Sequence, residues 1–268
     1  MTLITLLPSK TTPKTAYREQ GAGEPLVLIH GVGMQSAAWA PQIDALAQHY
    51  HVIALDMPGH GCSDPLPAGS QLSDYVAWGK SVIAALDVGA VNLVGHSMGA
   101  LIAGGMAVAH PQLIKRVALL NGVFQRDDAA KTAVQARAAE IRDGKIDLET
   151  PLTRWFDDHQ QQARAQVATW LSGVDHIGYA TAYTAFAHGD ATYAHRYSKI
   201  VSPFLAITGD GDPNSTPAMS QEMAAAVQNG QYVTIPGHRH MINLTAADDV
   251  NMHLMKWLQT PVTTKEMR

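Results

Sequence analysis

The chain has a single cysteine, Cys62, among its 268 residues. One thiol closes no internal disulfide and builds no cysteine-rich zinc site. Charge is scarce as well. Charged residues make up 16% and the net charge is −4, so no basic surplus exists to neutralise phosphates, and nucleic acid is excluded as the main partner. Long hydrophobic runs are missing. Stretches such as LIAGGMAVA at 101–109 fall far short of the roughly 20 apolar residues a membrane span needs. The opening MTLITLLPSKTTPK has no basic residue ahead of an apolar run that stops by Pro8, so no signal peptide is expected. Neither G-x-G-x-x-G nor G-x-x-x-x-G-K-[ST] occurs, which leaves nucleotide binding without support. The pairs in His49-Tyr50-His51 and His238-Arg239-His240 have no carboxylate or cysteine company at ligand spacing. No metal and no cofactor are therefore expected.

What is present is a folding composition. Apolar residues at 46% exclude a disordered chain, and the length suits one large domain or two small ones. The expectation is a soluble cytoplasmic protein whose partner is a small molecule, with no nucleic acid and no membrane. Nothing in the sequence sets an oligomeric state.

Short Leu- and β-branched runs alternate with longer amphipathic ones. Strands are expected at LITLL (3–7), KTAYREQ (14–20), PLVLIHG (25–31), HVIALD (51–56), VNLVGHS (91–97), KRVALLNG (115–122), SPFLAITGD (202–210) and QYVTIP (231–236). Helical spacing falls at 36–50, 72–88, 98–110, 217–228 and 246–259. Strands separated by helices of 10–15 residues imply an α/β fold with a mostly parallel sheet covered on both faces. From about 125 to 197 no clear strand occurs, which reads as a helical insertion. The division is thus a core of 1–124 with 198–260, a helical cap of 125–197, and a frayed polar tail of 261–268.

The chemistry concentrates at strand ends. Gly95-His96-Ser97-Met98-Gly99 sits between the strand VNLV and the helix ALIAGGMAVA, a strand–tight turn–helix. A nucleophilic serine there needs a strained backbone to project its hydroxyl, and side chains two residues to either side would crowd. His30-Gly31-Val32-Gly33 follows the strand PLVLI, where backbone N–H groups can face a developing oxyanion. The expected donors are the N–H groups of Val32 and Met98. Thr208-Gly209-Asp210-Gly211-Asp212-Pro213 and Pro236-Gly237-His238-Arg239-His240-Met241 follow two later strands. A serine hydroxyl needs a base, a histidine serves near neutral pH, and a carboxylate fixes its tautomer. In a parallel sheet these strand ends share one edge. From the residues alone, Asp210 competes with Asp212 and His238 with His240.

Together these stretches resemble the α/β-hydrolase superfamily. The resemblance covers nearly the whole chain: HGVGMQSAAW (30–39), DMPGHGCSD (56–64), VGHSMGA (94–100), TGDGDPNSTP (208–217) and GHRHMINL (237–244). It implies an eight-stranded, mostly parallel sheet with a helical cap after the sixth strand. It also implies a catalytic triad of Ser97, Asp212 and His240, with Asp127 or Asp128 as the reserve acid. By resemblance, the serine nucleophile disfavours haloalkane dehalogenases and epoxide hydrolases, which use aspartate. Carbon–carbon hydrolases of the superfamily often follow the histidine with tryptophan, and here Met241 stands there.

The implied function is a serine hydrolase cleaving a small or medium carboxylic ester or lactone through an acyl-enzyme. The alternatives are a carbon–carbon hydrolase or lyase on the same triad, or a non-catalytic ligand-binding member of the fold. Candidate pocket residues are His30, Met34, Phe124, Trp155 and Met241. Arg154 and Arg164 are candidates to pair with a substrate carboxylate, although such arginines more often lie on a solvated helix face.

Overall fold

The computed structural model describes residues 2–5, 13–145 and 147–262, of which residues 2–5 are described by backbone alone. Eight strands form one sheet in the order β1-β2-β4-β3-β5-β6-β7-β8. They are β1 (Thr2–Thr5), β2 (Ala16–Gln20), β3 (Glu24–Ile29), β4 (Tyr50–Leu55), β5 (Val91–His96), β6 (Ile114–Leu120), β7 (Phe204–Gly209) and β8 (Gly230–Ile235). The first two pairings, β1 with β2 and β2 with β4, are antiparallel, and all others are parallel. Each predicted strand is present within a few residues. Positions 6 and 7 of the first, and 263–268 of the expected tail, lie outside the described residues.

Alternation along the central strands builds two cores. Val27, Ile29, Ile53, Leu55, Leu93, Val117 and Leu119 face one side, while Leu26, Leu28, Val52, Ala54, Val94, Ala118 and Leu120 face the other. Successive strand side chains point to opposite faces, so near-continuous apolar strands demand helices on both sides. Helices α1 (Ala40–Leu46) and α10 (Ala247–Leu258) cover the second face, and α2 (Leu72–Leu86) and α3 (Met98–Ala109) the first. The predicted helix at 36–50 divides into a 3₁₀ turn at Ser36–Trp39 and α1, with Pro41 in the first turn of α1. Proline fits the first helical turn, where its missing N–H costs nothing.

Between β6 and β7 the chain inserts α4 (Asp128–Arg142), α5 (Glu149–Trp155), α6 (Gln161–Ser172), α7 (His176–Gly189) and a 3₁₀ turn at Ala194–Lys199. Two further helices, α8 (Pro217–Ala225) and α9 (Ile242–Thr245), follow β7 and β8. Among the described residues, no helix is long and apolar enough to cross a membrane.

The register sets the site. Ile29 pairs with Gly95, His96 with Leu120, Leu120 with Ile207, and Gly209 with Ile235. The loops leaving β3, β5, β6, β7 and β8 therefore start from one edge. At the centre of that edge α3 approaches the sheet very closely. A Cβ on Gly95 would run into the Gly99 carbonyl, and a Cβ on Gly99 would run into the Ile29 and His30 carbonyls. The second contact lies across to β3, beyond the local crowding that the sequence implies. Gly99→Ala is expected to push α3 off β3 at a cost of about 2–3 kcal/mol, lowering the thermal midpoint by about 5–10 °C. An unchanged midpoint in differential scanning calorimetry would contradict this packing.

Candidate active site

Ser97 stands between β5 and α3 with φ +54° and ψ −113°, a left-handed conformation that L side chains avoid. Its backbone N–H donates to the Leu120 carbonyl at 2.9 Å, which ties the turn to β6. Ser97 and His240 border one cavity of about 370 Å³. No hydrogen bond joins Ser97 Oγ to His240 in the structure. Such contacts commonly tighten only when substrate arrives.

The partner of His240 is Asp212. His240 Nδ1 donates to Asp212 Oδ2 at 2.7 Å. That carboxylate also accepts from Asn121 Nδ2 at 2.8 Å, the Asn214 N–H at 2.8 Å and the Ser215 N–H at 3.2 Å. Burial alone would raise the Asp212 pKa. The His240 ring and the hydrogen bonds outweigh it, holding the carboxyl below its ordinary value. The remaining ring nitrogen of His240 is thereby the basic one. The competing residues are engaged elsewhere: Asp210 Oδ1 accepts from the Gly237 N–H at 2.8 Å, and His238 Nδ1 contacts Thr245 Oγ1 at 2.9 Å. Asp127 caps α4 through the Ala130 N–H.

Val32 borders the same cavity, and Met98 begins α3 directly after Ser97. Neither N–H is spent on a hydrogen bond among the described residues, so both are free to meet a developing negative charge. The loop carrying Val32 is braced by two buried histidines. His60 Nε2 accepts from the Gly33 N–H at 2.9 Å, and His30 Nε2 accepts from the Met57 N–H at 2.9 Å. Their Nδ1 atoms donate to the Pro58 and Gly31 carbonyls, which fixes each tautomer. A third, His96, donates from Nε2 to the His240 carbonyl at 2.8 Å. Asp56 accepts from the Ser36 and Cys62 N–H groups, anchoring the same region. The braces His60, His96 and Asn121 escaped sequence reading, because their partners Gly33, His240 and Asp212 lie in the loops after other strands and only the register brings them together.

Of the candidate pocket residues, Trp155 borders the cavity and stacks on the His240 ring at 5.7 Å between centroids. The other four do not border it. His30 is the loop brace just described, Met34 and Met241 belong to the core, and Phe124 packs on Tyr197 at 5.3 Å. Arg154 borders the cavity, whereas Arg164 pairs with Glu149 outside it. Arg239, beside His240, reaches the inserted helices: it donates to the Thr153 carbonyl at 3.0 Å and pairs with Asp157 at 2.6 Å. Cys62 is exposed and free. Among the described residues, no cluster of three potential metal ligands forms.

Comparison with known proteins agrees with this architecture. The family described as alpha/beta hydrolase fold matches residues 24–247. The chain is similar to the (E)-2-((N-methylformamido)methylene)succinate hydrolase of Acinetobacter baylyi, with 52% identity over 91% of this chain and 94% of that protein. Among solved structures it is similar to the enol-lactonase of Burkholderia xenovorans, with TM-score 0.83 and 26% identity, covering 92% of this chain and 96% of that one. A thermophilic esterase from Thermogutta terrifontis shares the fold at TM-score 0.88 and 20% identity, covering 98% of this chain and 100% of that one.

Burial lowers the pKa of His30 to about 4 and those of His60 and His96 to about 3. Between pH 6.5 and about 4 the unfolded chain binds protons at these positions that the folded chain excludes. Stability therefore rises with pH across this window and is lost on acidification. At pH 5 the slope of unfolding free energy against pH should correspond to at least about two to three protons taken up on unfolding. Urea titrations at closely spaced pH values read this slope, and a flat profile from pH 6.5 to 4.5 would contradict neutral buried rings.

Proposed function

The chain belongs to the alpha/beta hydrolase family, and from that premise we propose that it hydrolyses a small acyl compound through Ser97, His240 and Asp212. The observation that carries the proposal is the buried His240–Asp212 pair bordering the same cavity as a serine held at positive φ. In the proposed sequence Ser97 Oγ attacks the substrate carbonyl carbon while His240 takes its proton through the nitrogen opposite Asp212. Asp212 stabilises the imidazolium, and the Val32 and Met98 N–H groups hold the tetrahedral oxyanion. His240 returns the proton to the departing oxygen or nitrogen, leaving an acyl-enzyme. Water, activated by the same histidine, then releases the acid and restores Ser97.

The bond cleaved is an acyl C–O or C–N bond. Support for esters and lactones comes from the motif set and the 26% identical enol-lactonase. Support for an acyl–nitrogen bond comes from the 52% identical relative, whose name places a formyl group on nitrogen. The cavity of about 370 Å³ suits a small substrate in either case. The proposed partner is accordingly a small molecule.

Ser97→Ala is expected to cut turnover of p-nitrophenyl acetate, or of the relative's N-formyl substrate, by about 10⁴–10⁶-fold with the circular dichroism spectrum unchanged. Intact wild-type protein quenched during turnover should gain the mass of one acyl group on the peptide containing Ser97. Turnover that survives the substitution would remove Ser97 as nucleophile.

A further inference from the structure

The cavity at Ser97 is bordered by three arginines, Arg126, Arg137 and Arg154, against two carboxylates, Glu140 and Asp147. In a chain of net charge −4, three cationic side chains meet where the acyl compound would sit, and the carboxylates near them are taken by two of the three. The three cations are not equivalent. Arg137 is committed: its Nη1 lies 3.6 Å from Glu140 and 3.8 Å from Asp147, and its Nη2 donates to the Asp147 carbonyl. Both cavity carboxylates are thus taken by one arginine. Arg126 is 5% exposed, pairs with buried Asp190 at 3.3 Å and lies 4.4 Å over the Phe186 ring. Its Nη2 is buried and has no hydrogen-bond partner. A guanidinium N–H shut away from water and left unpaired is costly, so an acceptor reached by a small shift of the side chain would relieve it. Arg154 is exposed, makes no ion pair among the described residues, and immediately precedes Trp155, which stacks on His240. Burial raises the pKa of Tyr183, which also borders the cavity, and Arg137, Arg126 and Arg154 all act against that rise, so all three charges are felt at one hydroxyl.

We infer that the substrate of this site is anionic, with a carboxylate met by Arg154 at the open side of the cavity and further acceptor oxygens met by Arg126 within it. The inference rests on the hydrolase reading of Ser97 for the identity of the occupant, but not for the existence of the anion site. Arg154 and Arg126 are specificity-determining residues and take no proton in the reaction. A fork of donors matches a planar carboxylate better than a lysine ammonium does.

The test compares mono-p-nitrophenyl succinate, which keeps a free carboxylate, with neutral p-nitrophenyl butyrate. Arg154→Gln should lose about 10–100-fold in kcat/KM on the succinate ester, chiefly through KM, and under about threefold on the butyrate ester. Arg154→Lys should recover part of the loss. Arg126→Gln is combined with Asp190→Asn so that no buried carboxylate is stranded, and the same selective loss is expected. Calorimetric titration of succinate into Ser97→Ala protein reads the anion site without the nucleophile, and adding Arg154→Gln should abolish that binding. Equal losses on both esters, or succinate binding that survives Arg154→Gln, would overturn the inference while leaving Ser97 untouched. Arg154-dependent succinate binding in a protein whose wild type cleaves neither these esters nor the relative's N-formyl substrate would uphold the anion site and overturn the hydrolase reading instead.

Discussion

A carboxylate that is almost wholly buried is tolerated only when its oxygens are spoken for, and Asp212 meets that condition at the edge of the sheet. Its four hydrogen-bond donors come from three separate loops: Asn121 after β6, Asn214 and Ser215 after β7, and His240 after β8. Removing any one leaves charge in a low-dielectric place with fewer donors, a cost on the order of a kcal/mol or more. The ionised Asp212 therefore holds these loops to one another as firmly as it holds the imidazole. His240, fixed at that point, borders the Ser97 cavity and carries the stacked Trp155 ring at the end of α5.

Much of this was legible in the sequence because it depends on local chemistry. Apolar strands ending in Gly or Asp and a serine between glycines lie in runs of ten residues or fewer, and the order of Ser97, Asp212 and His240 is read by following such runs along the chain. What was not legible depends on pairs distant in the chain. DMPGHGCSD was readable as a pattern, but not that His60 within it accepts the Gly33 N–H or that Asp56 gathers the Ser36 and Cys62 N–H groups. Asn121, just after β6, carries no motif of its own, yet its side chain donates to Asp212 from the neighbouring strand. Met34, Phe124 and Met241 are adjacent to motif residues in sequence, but alternation and loop geometry turn them into the core. Arg126 and Arg137 carry no local signature at all. Their meaning comes from what faces them across α4 and α7.

The buried histidines divide the site into chemistry and frame. His30 and His60 use both ring nitrogens, and His96 one, to bond backbone groups at the edge where the loops meet, and burial keeps all three neutral. A neutral imidazole can donate at one nitrogen and accept at the other, so it joins two backbone groups without bringing a charge near the oxyanion position. Of His30, His60, His96 and His240, only His240 hydrogen-bonds to a carboxylate among the described residues.

Arg239 occupies the position next to His240 and grips Thr153 in α5 and Asp157 just after it. The roof is accordingly fastened to the segment that carries the imidazole, as well as packed through α7 on the loop after β4 and on α2 and α3. Lifting that part of the roof would tug on the peptide leading to His240, so admission of a ligand and alignment of the proposed base would be geared together through Arg239.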